Sequence, residues 1–274
     1  MRDITLGQYY PGNSVLHRAD PRAKLVCAIL YIAAVFMCRS ALAFIVIIAA
    51  TAVSIALSGI PLRVLLRSMK SLIFIIIFTA FINLFLTTSG ELLFQFYFIK
   101  IYSKGIINTI VMILRITLLI AGSGVFLTYT TTPIALTDGL EQLLAPLRKL
   151  RLPVHEFSMM MTIALRFIPT LVEETDKIMN AQKARGADFG TGSLLSRARA
   201  LLPILIPLFI AAFRRADELA IAMECRCYHG GEGRTRMNVL HLRTPDFAIM
   251  AFCVILCIAA ALINTYIPIF TLIG

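Results

Sequence analysis

Long apolar blocks constrain this chain more than any other feature. Ala41 to Leu57, Leu72 to Leu86 and Phe247 to about Phe270 carry no charge, and Gly105 to about Thr131 is interrupted only by Arg115. Each approaches the roughly 20 apolar residues that an α-helix needs to cross a bilayer. With 59% hydrophobic and only 15% charged residues, a soluble domain cannot hide so much apolar surface, so the composition points to an integral membrane protein. The N-terminal stretch MRDITLGQYYPGNSVLHRADPRAK is polar. It lacks the apolar core of a cleavable signal peptide.

A further run, Leu25 to Met37, is bounded by Lys24 and Arg39, and only Arg39 and Ser40 separate it from Ala41. The two runs read as a tight hairpin, with Lys24 and Arg39 snorkelling to opposite faces. The shortness of the first run keeps a shallow or re-entrant segment as the alternative. Pro61 opens PLRVLLRSMKS, a short basic stretch at the membrane surface, and a polar loop with Ser89, Gly90, Lys100 and Lys104 precedes the Gly105 run.

The net charge of +11 suits an orientation signal better than a nucleic-acid partner, because basic residues gather on the cytoplasmic side of membrane proteins. Residues 132–244 hold 15 basic and 11 acidic residues, too many for lipid throughout. Five spans with the N-terminus inside place this region in the cytoplasm. Of the 26 basic residues, 22 then face the cytoplasm, three lie in outer loops, and Arg115 lies within the fourth span. The expected fold is an all-α polytopic membrane protein with about five transmembrane helices and three cytoplasmic helices. Its divisions are a four-span region at 1–131, a cytoplasmic region at 132–244 and a last span at 245–274.

Three helices are expected in the cytoplasmic region. The first starts at Thr137 and Asp138, carries Leu140, Leu143, Leu144 and Leu147 at helical spacing, and stops at Pro153 after RKLR. The second begins near Val154 and is apolar from Phe157 to Val172, with Pro169 inside. It turns polar at EETDKIMNAQKARG, where Gly186 suits a C-cap. The third begins near Ser193, is apolar from Leu201 to Phe213 around Pro203 and Pro207, and ends RRADELAIAMECRCY. Matching Arg185 to Arg226 also matches Asp176 to Asp217, Ile178 to Leu219 and Ala181 to Ala222. Each arginine stands between small residues at a helix end. It either stabilises the helix dipole by about 0.3–1 kcal/mol or presents its fork to a partner.

Other chemistry is scarce. The chain has no GxxxxGK[ST] loop, no HExxH and no GxSxG, and its four histidines (His17, His155, His229, His241) are scattered. Cys225, Cys227 and His229 alternate as C-x-C-x-H, but structural zinc wants four ligands and only His241 is near in sequence. Arg115 is costly inside a membrane and pairs either with a carbonyl or with a polar neighbour such as Asn83. Gly122-Ser123-Gly124 suits close helix packing. Met159, Met160 and Met161 suit either an adaptable interface or ordinary packing.

Nearly the whole chain resembles the transmembrane T component of energy-coupling factor (ECF) transporters, bacterial importers of vitamins and trace metals. The resemblance rests on HRADPRAKL, TTPIALTDGLEQLLAPLRKLRLPVHE, ALRFIPTLVEETDKIMNAQKARG and ELAIAMECRCYHGGEGRTR. It implies that two Ala-Arg-Gly motifs end two coupling helices and bind the ATPase subunits. Ala184-Arg185-Gly186 keeps the motif; Cys225-Arg226-Cys227 replaces it at the second position. The lost glycine costs about 1 kcal/mol if a left-handed cap is needed there, unless Gly230 and Gly231 end the segment instead. The resemblance further implies two ATP-binding A components, which hold the ATP-Mg, and one substrate-binding S component. The A components are two related subunits, a reading that the tail GGEGRTRMN suggests, and the S component is interchangeable. The chain itself binds neither cofactor nor nucleic acid; it sits in the bilayer of the cell membrane and transmits force without catalysis.

A self-contained secondary transporter is one rival, but it needs polar groups converging at mid-membrane and often an inverted repeat. A membrane-embedded enzyme is another, and it needs a nucleophile–base or metal constellation that the sequence does not show.

Overall fold

The computed structural model describes residues 9–87, 90–96, 99–150, 153–187, 193–230 and 239–266. The chain divides into two compact units, one of residues 7–143 with 240–274 and the other of residues 144–239 with the first six.

In the first unit, helix α1 (Val15–Arg18) leads into α2 (Pro21–Met37), α3 (Ala41–Ser58) and α4 (Leu62–Leu86). Next come a hairpin of β1 (Leu92–Phe96) and β2 (Ile99–Tyr102), then α5 (Ser103–Ser123), α6 (Pro133–Leu144) and, from the chain's far end, α9 (Thr244–Tyr266). Helix starts follow local capping chemistry. Asp20 accepts from the Arg22 amide with Pro21 at the first helical position, and Ser40 accepts from the Ala43 amide to open α3.

Helices α3 and α9, and α5 with the π-helical turn Gly124–Thr128 that continues it, are long and apolar enough to cross a membrane. Helix α4 bends by 60° between Leu62–Lys70 and Leu72–Phe85, and its two parts together have the length and apolar composition of a fourth, broken span or of a re-entrant loop. Helix α2 has 17 residues, yet its two ends are tied to the two ends of α9. The Asp20 amide donates to Asp246 Oδ1 at 2.9 Å, while Asn264 Oδ1 accepts from the Arg39 and Ser40 amides at 3.2 Å. On α9 these contacts are about 27 Å apart at 1.5 Å per residue. Helix α2 therefore runs the same depth as α9.

Tyr31 organises the core between these helices. Its hydroxyl bonds with Thr51 Oγ1 at 2.8 Å and donates to the Leu118 carbonyl at 3.0 Å. Its ring lies on Gly122, where a Cβ would come within 2.1 Å of it. The small residues of the Gly122-Ser123-Gly124 stretch thus admit aromatic rings: Tyr129 lies against Gly124 in the same way, at 2.7 Å from a built Cβ. Arg115 donates to the Cys38 carbonyl at 2.8 Å and lies 5.8 Å from the Phe44 ring centre. Asn83 bonds elsewhere, to the Thr79 carbonyl and Met112 Sδ.

Three expectations need correction. Lys24 does not snorkel outward: it is 2% exposed, and its ammonium donates to the carbonyls of His17 at 3.2 Å and Thr130 at 2.8 Å. The α1 turn and the stretch just after the π-helical turn Gly124–Thr128 thus supply its acceptors, and buried Asp20 and Asp246 balance its charge. The expected polar loop contains an antiparallel hairpin, with Phe94 opposite Ile101, Gln95 opposite Lys100 and Phe96 opposite Ile99. Helix α6 starts at Pro133 rather than at Thr137. Thr132 Oγ1 accepts from the Ala135 amide, while Thr137 sits inside the helix and donates back to the Pro133 carbonyl.

Candidate functional site

The second unit is built on two long helices, α7 (Val154–Ala184) and α8 (Leu194–Cys225), preceded by a 3-10 stretch at Ala145–Leu150. With 31 and 32 residues, they are about 46 and 48 Å long. Pro169 lies within α7, and Pro203 and Pro207 lie within α8. The helices pack together, and Arg215 Nη2 lies 3.5 Å from Glu174 Oε2 in a half-buried ion pair. Beside it a cleft of about 450 Å³ is lined by Glu174, Pro207, Ile210, Arg214, Arg215 and Glu218.

The position of this ion pair is informative. The register that matches Arg185 to Arg226 also matches Glu174 to Arg215. The two helices therefore meet at equivalent points, and from there each extends about 16 Å to its own arginine.

The two tips share one hydrogen-bond pattern. On α7, Arg185 is the cap residue and Gly186 takes a left-handed φ of +86°. The Gly186 amide donates to the Lys183 carbonyl at 3.0 Å, and the Ala187 amide donates to the Gln182 carbonyl at 3.0 Å. This is the Schellman arrangement, which satisfies the carbonyls that a helix end leaves open. On α8, the Cys227 amide donates to the Glu224 carbonyl at 2.8 Å and the Tyr228 amide to the Met223 carbonyl at 3.1 Å. Cys227 has φ +56° and is the one non-glycine residue with positive φ among those described. The second tip thus keeps the left-handed turn without its glycine. The chain does not wait for Gly230 or Gly231 to turn; Gly231 and most of the GGEGRTRMN tail lie outside the described residues.

All six candidate residues, Ala184, Arg185, Gly186, Cys225, Arg226 and Cys227, are exposed. Nothing lies within 4 Å of a Cβ built on Gly186, so the turn conformation, and no crowding, asks for glycine there. Among the described residues neither arginine pairs with a carboxylate. Each presents a charged fork with five donors on a backbone fixed by its cap. The arrangement suits gripping carboxylates or carbonyls of another molecule; the second tip also carries two exposed free thiols, Cys225 and Cys227. His229 turns its Nδ1 to the Cys227 carbonyl at 2.8 Å. No group of three or more His, Cys, Asp or Glu among the described residues is arranged to hold a metal.

Away from the tips, α7 and α8 leave a large apolar surface open. Met160, Met161 and Phe157 on α7 are 41–58% exposed, and Leu205, Phe209 and Phe213 on α8 are 53–66% exposed. A surface of this kind marks a contact with membrane or protein.

The sequence profile of the cobalt transport protein family (CbiQ) matches residues 12–239. A relative from Ruminiclostridium cellulolyticum, the energy-coupling factor transporter transmembrane protein EcfT, is 49% identical over 255 residues, covering 93% of this chain and 95% of the relative. The chain belongs to the EcfT family. EcfT proteins of Acidaminococcus fermentans (54% identical over 240 residues, 88% of this chain and 89% of the relative) and Bacillus subtilis (44% over 256 residues, 93% and 96%) agree. As an EcfT-family protein the chain is a transmembrane component of an energy-coupling factor transporter, in keeping with its membrane-length helices.

Sequence reasoning placed Arg185 and Arg226 at helix ends, where the structure has them, and did not reach the Glu174–Arg215 meeting point. The signal was present: extending the same internal match by two residues beyond Asp176 and Asp217 reaches Glu174 and Arg215.

Proposed function

We propose that the chain couples ATP hydrolysis by two partner ATPase subunits to substrate uptake through a membrane-embedded S component. Each ATPase receives one tip, Ala184-Arg185-Gly186 or Cys225-Arg226-Cys227, in a surface groove. The carrying observation is the pair of matched tips on equal arms that meet at Glu174–Arg215. Two like arms suit two like partners. When the ATPases close on ATP-Mg, the tips are drawn together and the segments beyond the meeting point shift. That shift reshapes the exposed apolar surface of α7 and α8, on which the S component rests, and the vitamin or other micronutrient is released inward.

The tips differ at the left-handed position, glycine in one and cysteine in the other, which fits two related but distinct ATPases. The excess of basic residues in the N-terminal segment, the α4 start and residues 132–244 supports a cytoplasmic location for both tips. The chain is then a non-catalytic subunit with no cofactor of its own.

Reconstitution in proteoliposomes tests this reading. ATP-driven uptake is expected only when the chain, both ATPases and an S component are present together. Uptake by the chain alone, without ATP, would replace coupling with secondary transport.

A further inference from the structure

The first half of α4, Leu62–Lys70, departs by 60° from the line of Leu72–Phe85. At 100° per residue, Arg63, Arg67 and Lys70 fall within a narrow arc of this short segment. Nearly opposite them lie Leu65, 5% exposed, and Ser68, whose hydroxyl meets the hydroxyl of Tyr129. The buried side is therefore fixed, and it holds the basic stripe outward; all three cations are exposed. Along one flank of the stripe run Leu62 and Leu66, 66% and 61% exposed.

No acidic residue occurs anywhere in Leu62–Leu86, and among the described residues none of the three cations pairs with a carboxylate. Like charges at this helical spacing repel one another. The face thus combines unbalanced positive charge with an uncovered apolar strip beside it. Water satisfies the first and not the second, and a hydrocarbon interior does the reverse.

We propose that this face is a binding surface for anionic phospholipid headgroups. Arg63, Arg67 and Lys70 contact phosphate oxygens, while Leu62 and Leu66 enter the adjoining acyl chains. A helix lying along the interface with a basic stripe and a leucine strip has the composition for that arrangement. The inference stands apart from the coupling role, since it uses neither tip.

The test uses the full chain in detergent micelles doped with phosphatidylglycerol or phosphatidylcholine, with bound lipid counted by native mass spectrometry. Each cation near an anionic surface contributes roughly fivefold to binding. The Arg63→Gln/Arg67→Gln/Lys70→Gln variant is therefore expected to lose on the order of 100-fold in phosphatidylglycerol affinity and nothing for phosphatidylcholine. Arg63→Lys/Arg67→Lys, which keeps the charge, is expected to retain the lipid. Lys177→Gln/Lys183→Gln, which removes exposed cations from α7, is expected to change nothing. Retention of phosphatidylglycerol by the triple variant, or an equal loss in the α7 control, overturns the proposal. So does a triple variant that keeps its lipid but no longer co-purifies with ATPase subunits, which would give the face to a protein partner.

Discussion

Replacing Cys227 with glycine should stabilise the α8 tip, and the size of the effect follows from the backbone. A residue with a Cβ pays about 1–2 kcal/mol to hold the left-handed conformation, here φ +56°. Glycine removes that cost but gives back about 0.5–1 kcal/mol through its greater freedom in the unfolded chain. The net gain is about 1 kcal/mol, confined to the last turn. The amides of Cys227 and Tyr228 donate to the Glu224 and Met223 carbonyls, so their hydrogen exchange reads the opening of this turn. Cys227→Gly should slow that exchange roughly fivefold, because about 1.4 kcal/mol is tenfold in an equilibrium. The reciprocal change provides the control. Gly186→Ala meets nothing within 4 Å, so its only cost is the backbone at φ +86°. Exchange at Ala187 should quicken by a similar factor. Unchanged or faster exchange in Cys227→Gly would refute the claim that this cysteine occupies a glycine's place.

Other consequences concern the core and the meeting point of the arms. Gly122→Ala drives a methyl into the Tyr31 ring and should cost about 3 kcal/mol in thermal unfolding in detergent; in a Tyr31→Ala background most of that cost should vanish, and its persistence would locate the strain elsewhere. Asp246→Ala deprives the Asp20 and Arg243 amides of their acceptor and removes a counter-charge from buried Lys24. It should also cost about 3 kcal/mol, and a loss below about 1 kcal/mol would mean that the network is dispensable. Glu174→Arg and Arg215→Glu should each lower ATP-driven uptake while changing stability by less than about 1 kcal/mol, since the pair is half exposed. The double exchange should restore uptake, and its failure to do so would show that the ion pair is not what matters at that point.

What the sequence revealed and what it hid divide along the range of the interactions involved. Hydropathy is summed over a whole helix, so the runs that become α3, α5 and α9 were plain in the residues. So was Gly186, because glycine has an intrinsic advantage in the left-handed region. Cys227 has none. Its conformation is imposed by the amides that close on Met223 and Glu224, and its own residue type argues against it. Lys24 was misread because its partners, the His17 and Thr130 carbonyls, are main-chain groups brought together only by folding. The hairpin escaped notice because Phe94-Gln95-Phe96 and Ile99-Lys100-Ile101 alternate over too few residues to stand out between two apolar spans. The start of α6 shifted from Thr137 to Pro133 because two threonines competed for the cap, and Thr132 stands next to the proline that favours a first turn.

The central claim is that Arg185 and Arg226 hold the ATPase subunits. It is tested most directly by tagged pull-down in mild detergent with mass spectrometry, comparing the wild type with Arg185→Glu/Arg226→Glu and with Arg148→Glu/Arg151→Glu. The account predicts two ATPase subunits on the wild type and on the Arg148/Arg151 variant, and none on the Arg185/Arg226 variant. ATPases retained equally by all three would return the two arginines to the ordinary role of a cation at a helix end. Their absence from the wild type itself would contradict coupling altogether.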